Sequence, residues 1–172
     1  MDAASDTLLD FERLAAWQQH VLGSADVTFR TQPAFAKAGR ERYGVSPDTR
    51  RLFNACLKQS SETELPLAAC AARVYLDVCF FHPFPDGNAR SAFLALTIVL
   101  ARAGICLDQV GPIRRVPRRA DNPNDALALA NLVALLISHS HRRSHADGVE
   151  ALWASPLNGI SPGVTTGPSA VT

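Results

Sequence analysis

The sequence predicts an all-α fold: a helical bundle with one polar loop between two central helices and a short flap or hairpin ahead of them. Three observations carry that prediction. Apolar residues recur at helical spacing in five stretches, whereas alternation suited to strands is confined to one short region. The chain has 172 residues, enough for one hydrophobic core and too few for two full-sized domains. The most apolar part of the chain is broken once, by the nine residues His-Pro-Phe-Pro-Asp-Gly-Asn-Ala-Arg at 82–90.

The first helix is expected from about Asp6 to Leu22, where Leu8, Leu9, Phe11, Leu14, Ala15 and Val21 form an apolar stripe and Gly23 supplies a stop. From Asp26 to Tyr43 the helical pattern dissolves into an irregular or hairpin segment containing Val27, Phe29, Pro33 and Phe35. Ser46-Pro47-Asp48 reads as a cap, a first-turn proline and an acidic residue that start a helix ending near Lys58. The stretch from Pro66 to Phe81 is too rich in small and aliphatic residues for a surface helix and is expected to be the buried central one. A second apolar helix runs from about Asn88 to Arg102 and stops at Ala103-Gly104. After Asp121-Asn122-Pro123 a further helix is expected from Asn124 to His141. Between these two, Gln109 to Arg119 has Gly111, Pro112, Pro117 and four arginines, which reads as a solvated loop. From Ser155 the composition turns to Pro, Gly, Ser and Thr. The expected organisation is one helical domain over 1–153 and a disordered tail over 154–172.

The net charge of +1 lacks the basic excess of a non-specific nucleic-acid binder, so no nucleic-acid partner is expected. No apolar run is long enough to span a bilayer, and Met1 to Asp10 has three aspartates and no basic leader region, so a cytoplasmic location without membrane association is expected. Cys56, Cys70, Cys79 and Cys106 form no CxxC pair and read as buried reduced thiols on apolar helix faces.

The position of HPFPDGNAR matters as much as its content, because it joins the end of one buried helix to the start of the next. A helix start offers unpaired N–H groups and the positive end of the helix dipole, and Gly87 permits a tight path into it. The side chains suit phosphoryl or nucleotidyl transfer. His82 can take a proton from an attacking hydroxyl, and Asp86 offers magnesium a hard oxygen ligand. Asn88 can donate to a phosphate oxygen, and Arg90 presents a planar fork matched to phosphate. Phe84 is expected to point into the core and pin the loop. Taken singly, His-Pro is a helix terminator and Asp-Gly-Asn an ordinary turn; together they point to a phosphate-handling site.

The segment resembles the signature of the Fic/Doc family, HxFx(D/E)GNGRxxR, through His82, Phe84, Asp86, Gly87, Asn88 and Arg90. The resemblance implies a Fic-type helical bundle that transfers part of a nucleotide, most often AMP from ATP with Mg2+, to a hydroxyl of a target protein. It makes His82 the general base, Asp86 the metal ligand, Gly87, Asn88 and Ala89 the phosphate cradle, and Arg90 a phosphate clamp. It places the family's target-positioning flap in the segment from Asp26 to Tyr43, with Phe29, Arg30 and Thr31 as candidates for holding the target by strand addition. Two positions depart from the signature: Ala89 replaces a glycine and Phe93 the second arginine. They motivate the alternatives of a Doc-like kinase toxin transferring the γ-phosphate, or a Fic-fold protein of nucleotide binding or specialised metabolism without protein AMPylation. The family's self-inhibitory helix, (S/T)xxxE(G/N), is approached only by Ser60 to Glu64 followed by Leu65, so a regulator would be a separate antitoxin-like chain.

Two weaker signals remain. His139, His141 and His145 have metal-like spacing without accompanying carboxylates or cysteines, and read as cations near a helix end. Arg114, Arg115, Arg118 and Arg119 read as a solvated surface.

Overall fold

The computed structural model describes residues 9–60 and 64–143 in full and 144–153 as helix backbone. The expected disordered tail lies outside the described residues. The chain divides into two compact units, Met1–Ser140 and His141–Thr172. The first contains the elements α1 (Phe11–Leu22), β1 (Ala34–Ala36), β2 (Glu41–Tyr43), α2 (Thr49–Gln59), α3 (Leu67–Phe81), α4 (Asn88–Arg102) and α5 (Gly111–Arg115), and most of α6 (Pro123–Trp153). The described part of the second continues α6. The fold is all-α, with a single two-stranded hairpin among the described residues.

The α3/α4 pair is the centre of the bundle, with α2 packed on α3 and α1 on α4. Both central helices bury residues in two clusters, which is why neither shows a narrow apolar stripe. One cluster joins Leu9, Phe11 and Leu14 to Phe53, Val74, Val78, Phe84 and Ala92. The other joins Ala71, Leu76, Leu96 and Leu100 to Ile113, Leu129 and Val133. Ala71, Ala72, Ala92 and Ala95 are at most 2% exposed, and their small side chains let the helix backbones approach closely.

The helix ends show where local signals acted. The first helix starts at Phe11 rather than Asp6, because Asp10 is its cap: the Asp10 carboxylate accepts from the Arg13 amide at 2.9 Å. Gly23 closes it in the left-handed conformation at φ 65°. The second helix starts at Thr49, later than Ser46-Pro47-Asp48 implied. There the Ser46 amide donates to the Thr49 hydroxyl at 2.8 Å, while Asp48 pairs with Arg51 instead of capping. The expected loop over 109–119 contains α5, since Ile113 is fully buried in the second cluster and draws a helical turn onto the bundle. The sixth helix extends past His141 to Trp153. Among the described residues no helix is long and apolar enough to cross a membrane.

Candidate active site

The loop at 82–90 is set between α3 and α4 by its own residues. Phe84 is fully buried against Phe11, with ring centroids 5.5 Å apart. The Asn88 side chain folds back on the same residue: its Oδ1 accepts from the Phe84 amide at 2.9 Å and its Nδ2 donates to the Phe84 carbonyl at 2.8 Å. The expected phosphate-donating role of this carboxamide is therefore corrected. Asn88 is buried and clips the loop, and its backbone amide lies in the first turn of α4. Gly87 precedes it at φ 76°, as the left-handed residue that aims that turn. Ala89 and Arg90 follow on the exposed face.

His82 ends α3 in the left-handed region, at φ 44° and ψ 62°, a position usually given to glycine. Its Nδ1 lies 2.6 Å from the Cys79 carbonyl, which can only accept, so Nδ1 carries the proton and Nε2 holds the free lone pair. The Tyr43 ring stacks on the imidazole with centroids 3.5 Å apart and planes within 18°. Burial pulls the His82 pKa below its ordinary value and the Arg30 charge acts the same way, against opposing effects of the Cys79 carbonyl and Glu41. His82 is thus held as an oriented imidazole whose neutral form is favoured.

Asp86 is 84% exposed and its Oδ2 lies 3.8 Å from Arg90, whose other nitrogen donates to the Val21 carbonyl at 3.3 Å. An exposed carboxylate beside helix-start amides fits magnesium that arrives with phosphate groups, since that ion needs few protein ligands. Among the described residues no group of three or more metal-binding side chains occurs. His139 instead lies 3.4 Å from Asp108, and the side chain of His145 is outside the described residues.

Phe29, Arg30 and Thr31 line one groove with Val45, Ser46, Pro47 and Arg50. They are not the strands expected of a flap: the hairpin forms later, pairing Ala34 with Tyr43, Phe35 with Arg42 and Ala36 with Glu41. Phe29 is partly buried and packs edge-on against Phe11, Arg30 is only 4% exposed, and Thr31 is exposed. Phe93, at the place of the second signature arginine, packs against the cluster formed with α6.

Three contributors escaped the sequence reading. Tyr43 had no signal beyond β propensity, and the Cys79 carbonyl had none. Gln18 had one: it continues the buried stripe of Leu14 and Val21 as a polar residue on an apolar face. It is fully buried and its Nε2 donates to the Asp86 carbonyl at 2.9 Å.

A family model described as the Fic/DOC family matches residues 8–100, from α1 through nearly all of α4 and including the whole loop. The chain belongs to the Fic/DOC family, a family of transferases. No curated protein is recognisably similar to it.

Proposed function

We propose that this protein transfers AMP or a related nucleotide fragment from ATP or another nucleotide to a hydroxyl of a target protein, with His82 as general base. The observation that carries the reading is the pairing of an oriented neutral imidazole with a helix start one short loop away. Nε2 of His82 takes the proton as the target hydroxyl attacks the α-phosphorus, and the bond from that phosphorus to the bridging oxygen breaks, releasing pyrophosphate when ATP is the donor. The first-turn amides of Asn88, Ala89 and Arg90 gather the nucleotide's phosphates, and the Arg90 fork neutralises charge on them. Asp86 would hold Mg2+, which supplies charge neutralisation on the phosphate oxygens when bound. The hairpin of Ala34–Ala36 and Glu41–Tyr43, rather than Phe29 to Thr31, is the segment suited to hold an extended target by strand addition. The target is a hydroxyl-bearing protein; an antitoxin-like chain is the regulator consistent with the sequence.

One observation favours a second reading. Because Phe93, partly buried against the α6 cluster, stands where the signature has its second arginine, that turn of α4 offers no guanidinium to the outer phosphates of ATP. A nucleotide seated in the opposite direction would donate its γ-phosphate, as a Doc-like kinase does. Incubating the protein and a cell lysate with ATP labelled at the α- or the γ-phosphate separates the two. The α-label on protein, lost in His82→Ala, supports nucleotidyl transfer. Only γ-label, equally His82-dependent, supports the kinase. Neither label, with folded protein, contradicts both.

A further inference from the structure

Arg30 is a cation buried to 4% exposure with backbone oxygens as its hydrogen-bond acceptors. Its Nε donates to the His82 carbonyl at 2.5 Å and one terminal nitrogen to the Gln32 carbonyl at 2.7 Å. The other terminal nitrogen donates to the carbonyls of Gly44 at 2.6 Å and Phe81 at 3.1 Å. The Arg30 amide adds a bond to the Pro83 carbonyl at 3.0 Å.

These acceptors have a pattern. Gln32 and Gly44 bracket the hairpin at its entry and exit, while Phe81 and His82 are the last residues of α3 and its left-handed cap. We propose that Arg30 is a positioning residue that pins the base of the hairpin to the end of α3, so that the hairpin and His82 hold their places as one unit. The inference rests on the reading of His82 as the general base.

Packing alone does not call for this residue. Burying a guanidinium costs desolvation that an apolar side chain of similar size avoids, so the charge is explained by what its donors hold. The acceptors at the end of α3 carry the negative end of the helix dipole, where a cation is favourable. Only a planar fork reaches four carbonyls from separate segments; a lysine ammonium is a point donor. Tyr43 makes the coupling visible at the ring itself: it leaves the hairpin one residue before Gly44 and lies flat on His82. The charged or titratable groups influencing the imidazole are Arg30 and Glu41, with Tyr43 stacked on it and the Cys79 carbonyl bonded to it.

The test compares the full-length wild type with Arg30→Lys and Arg30→Gln, each first shown to be folded by its NMR spectrum. In the wild type, the His82 ring protons should show the upfield shift of a stacked tyrosine. The Arg30 Nε–H and the hairpin ladder amides should lose protection from hydrogen exchange together. In Arg30→Lys the ring shift should be lost and kcat for transfer should fall about 100-fold, the scale expected of a small misplacement. The nucleotide KM should change little. A folded Arg30→Lys that keeps both the ring shift and kcat overturns the proposal, as does wild-type hairpin opening that leaves the Arg30 Nε–H protected. If neither variant folds, the wild-type exchange decides alone. If the wild type transfers nothing, the reading of His82 as a base fails, while the ring shift and exchange still decide whether Arg30 couples the two segments.

Discussion

At the scale of single residues, the loop works by dividing labour between side chains that hold it and side chains that face outward. Phe84 and Asn88 turn inward, while Asp86, Ala89 and Arg90 are exposed. His82 stands between, with Nδ1 bonded to the Cys79 carbonyl and the lone pair on Nε2. Because burial and Arg30 lower its pKa, the base form is favoured at neutral pH. The ascending limb of kcat/KM against pH should therefore lie below about 6.5, the ordinary histidine value. A pH-rate series measures this, and a limb centred above that value would contradict the assigned environment. The same depression bears on stability. The unfolded chain binds the proton more readily, so His82 contributes stability above the unfolded value that is lost as the pH falls through the folded one. The chemical types in the loop were legible in the sequence because each side chain names its own chemistry. Asn88 was misread because a carboxamide suits a phosphate and a backbone amide equally, and only the Phe84 distances separate the two. The contacts that Arg30 and Tyr43 make with the end of α3 were hidden because those partners lie about 40 to 50 residues away in the chain.

At the scale of elements, the entry into α4 depends on Gly87 and on Gln18 reaching across from α1. A Cβ at Gly87 would collide with Gln18 Nε2 and would sit on a residue at φ 76°. Gly87→Ala should lower stability by roughly 1–2 kcal/mol from the left-handed backbone alone. Adding Gln18→Ala should recover the steric part and not the backbone part, giving non-additive changes in a urea titration. Strictly additive changes would mean that the two residues do not meet. Helix existence was legible because apolar periodicity records burial; the boundaries were less so. Ser46 was expected to cap the second helix, but its amide donates to the Thr49 hydroxyl and the helix starts at Thr49, whereas Asp10, inside the stretch expected to be helical, is the cap of the first. The fifth helix was missed because one buried residue, Ile113, gives no period.

At the scale of the whole molecule, the helical bundle was readable because two apolar helices in succession need cover on several sides. What no pattern disclosed is the partly buried Asp77 carboxyl on α3, whose buried Oδ2 lies 3.8 Å from Arg73 and lacks a hydrogen-bond partner. Burial pushes its pKa up to about 6 in spite of Arg73. The folded state therefore holds that proton more tightly than the unfolded chain, and the stability gained below about pH 4 is lost as the pH rises through about 6. Asp77→Asn should raise stability at pH 7 by on the order of 2 kcal/mol and should flatten this component of the pH dependence. The difference between wild-type and variant denaturation midpoints from pH 4 to pH 7 isolates it from the opposing contribution of His82. An Asp77→Asn variant less stable at pH 7 would show that the Arg73 pairing outweighs desolvation.

The most direct measurement is the mass added to protein hydroxyls in a lysate incubated with ATP and Mg2+ and the wild-type protein or His82→Ala. Peptides carrying an adenylyl group on serine, threonine or tyrosine with the wild type, and none with the variant, are the predicted result. Adenylylated peptides at equal abundance with folded His82→Ala would contradict the assignment of His82 as the base on which this account rests.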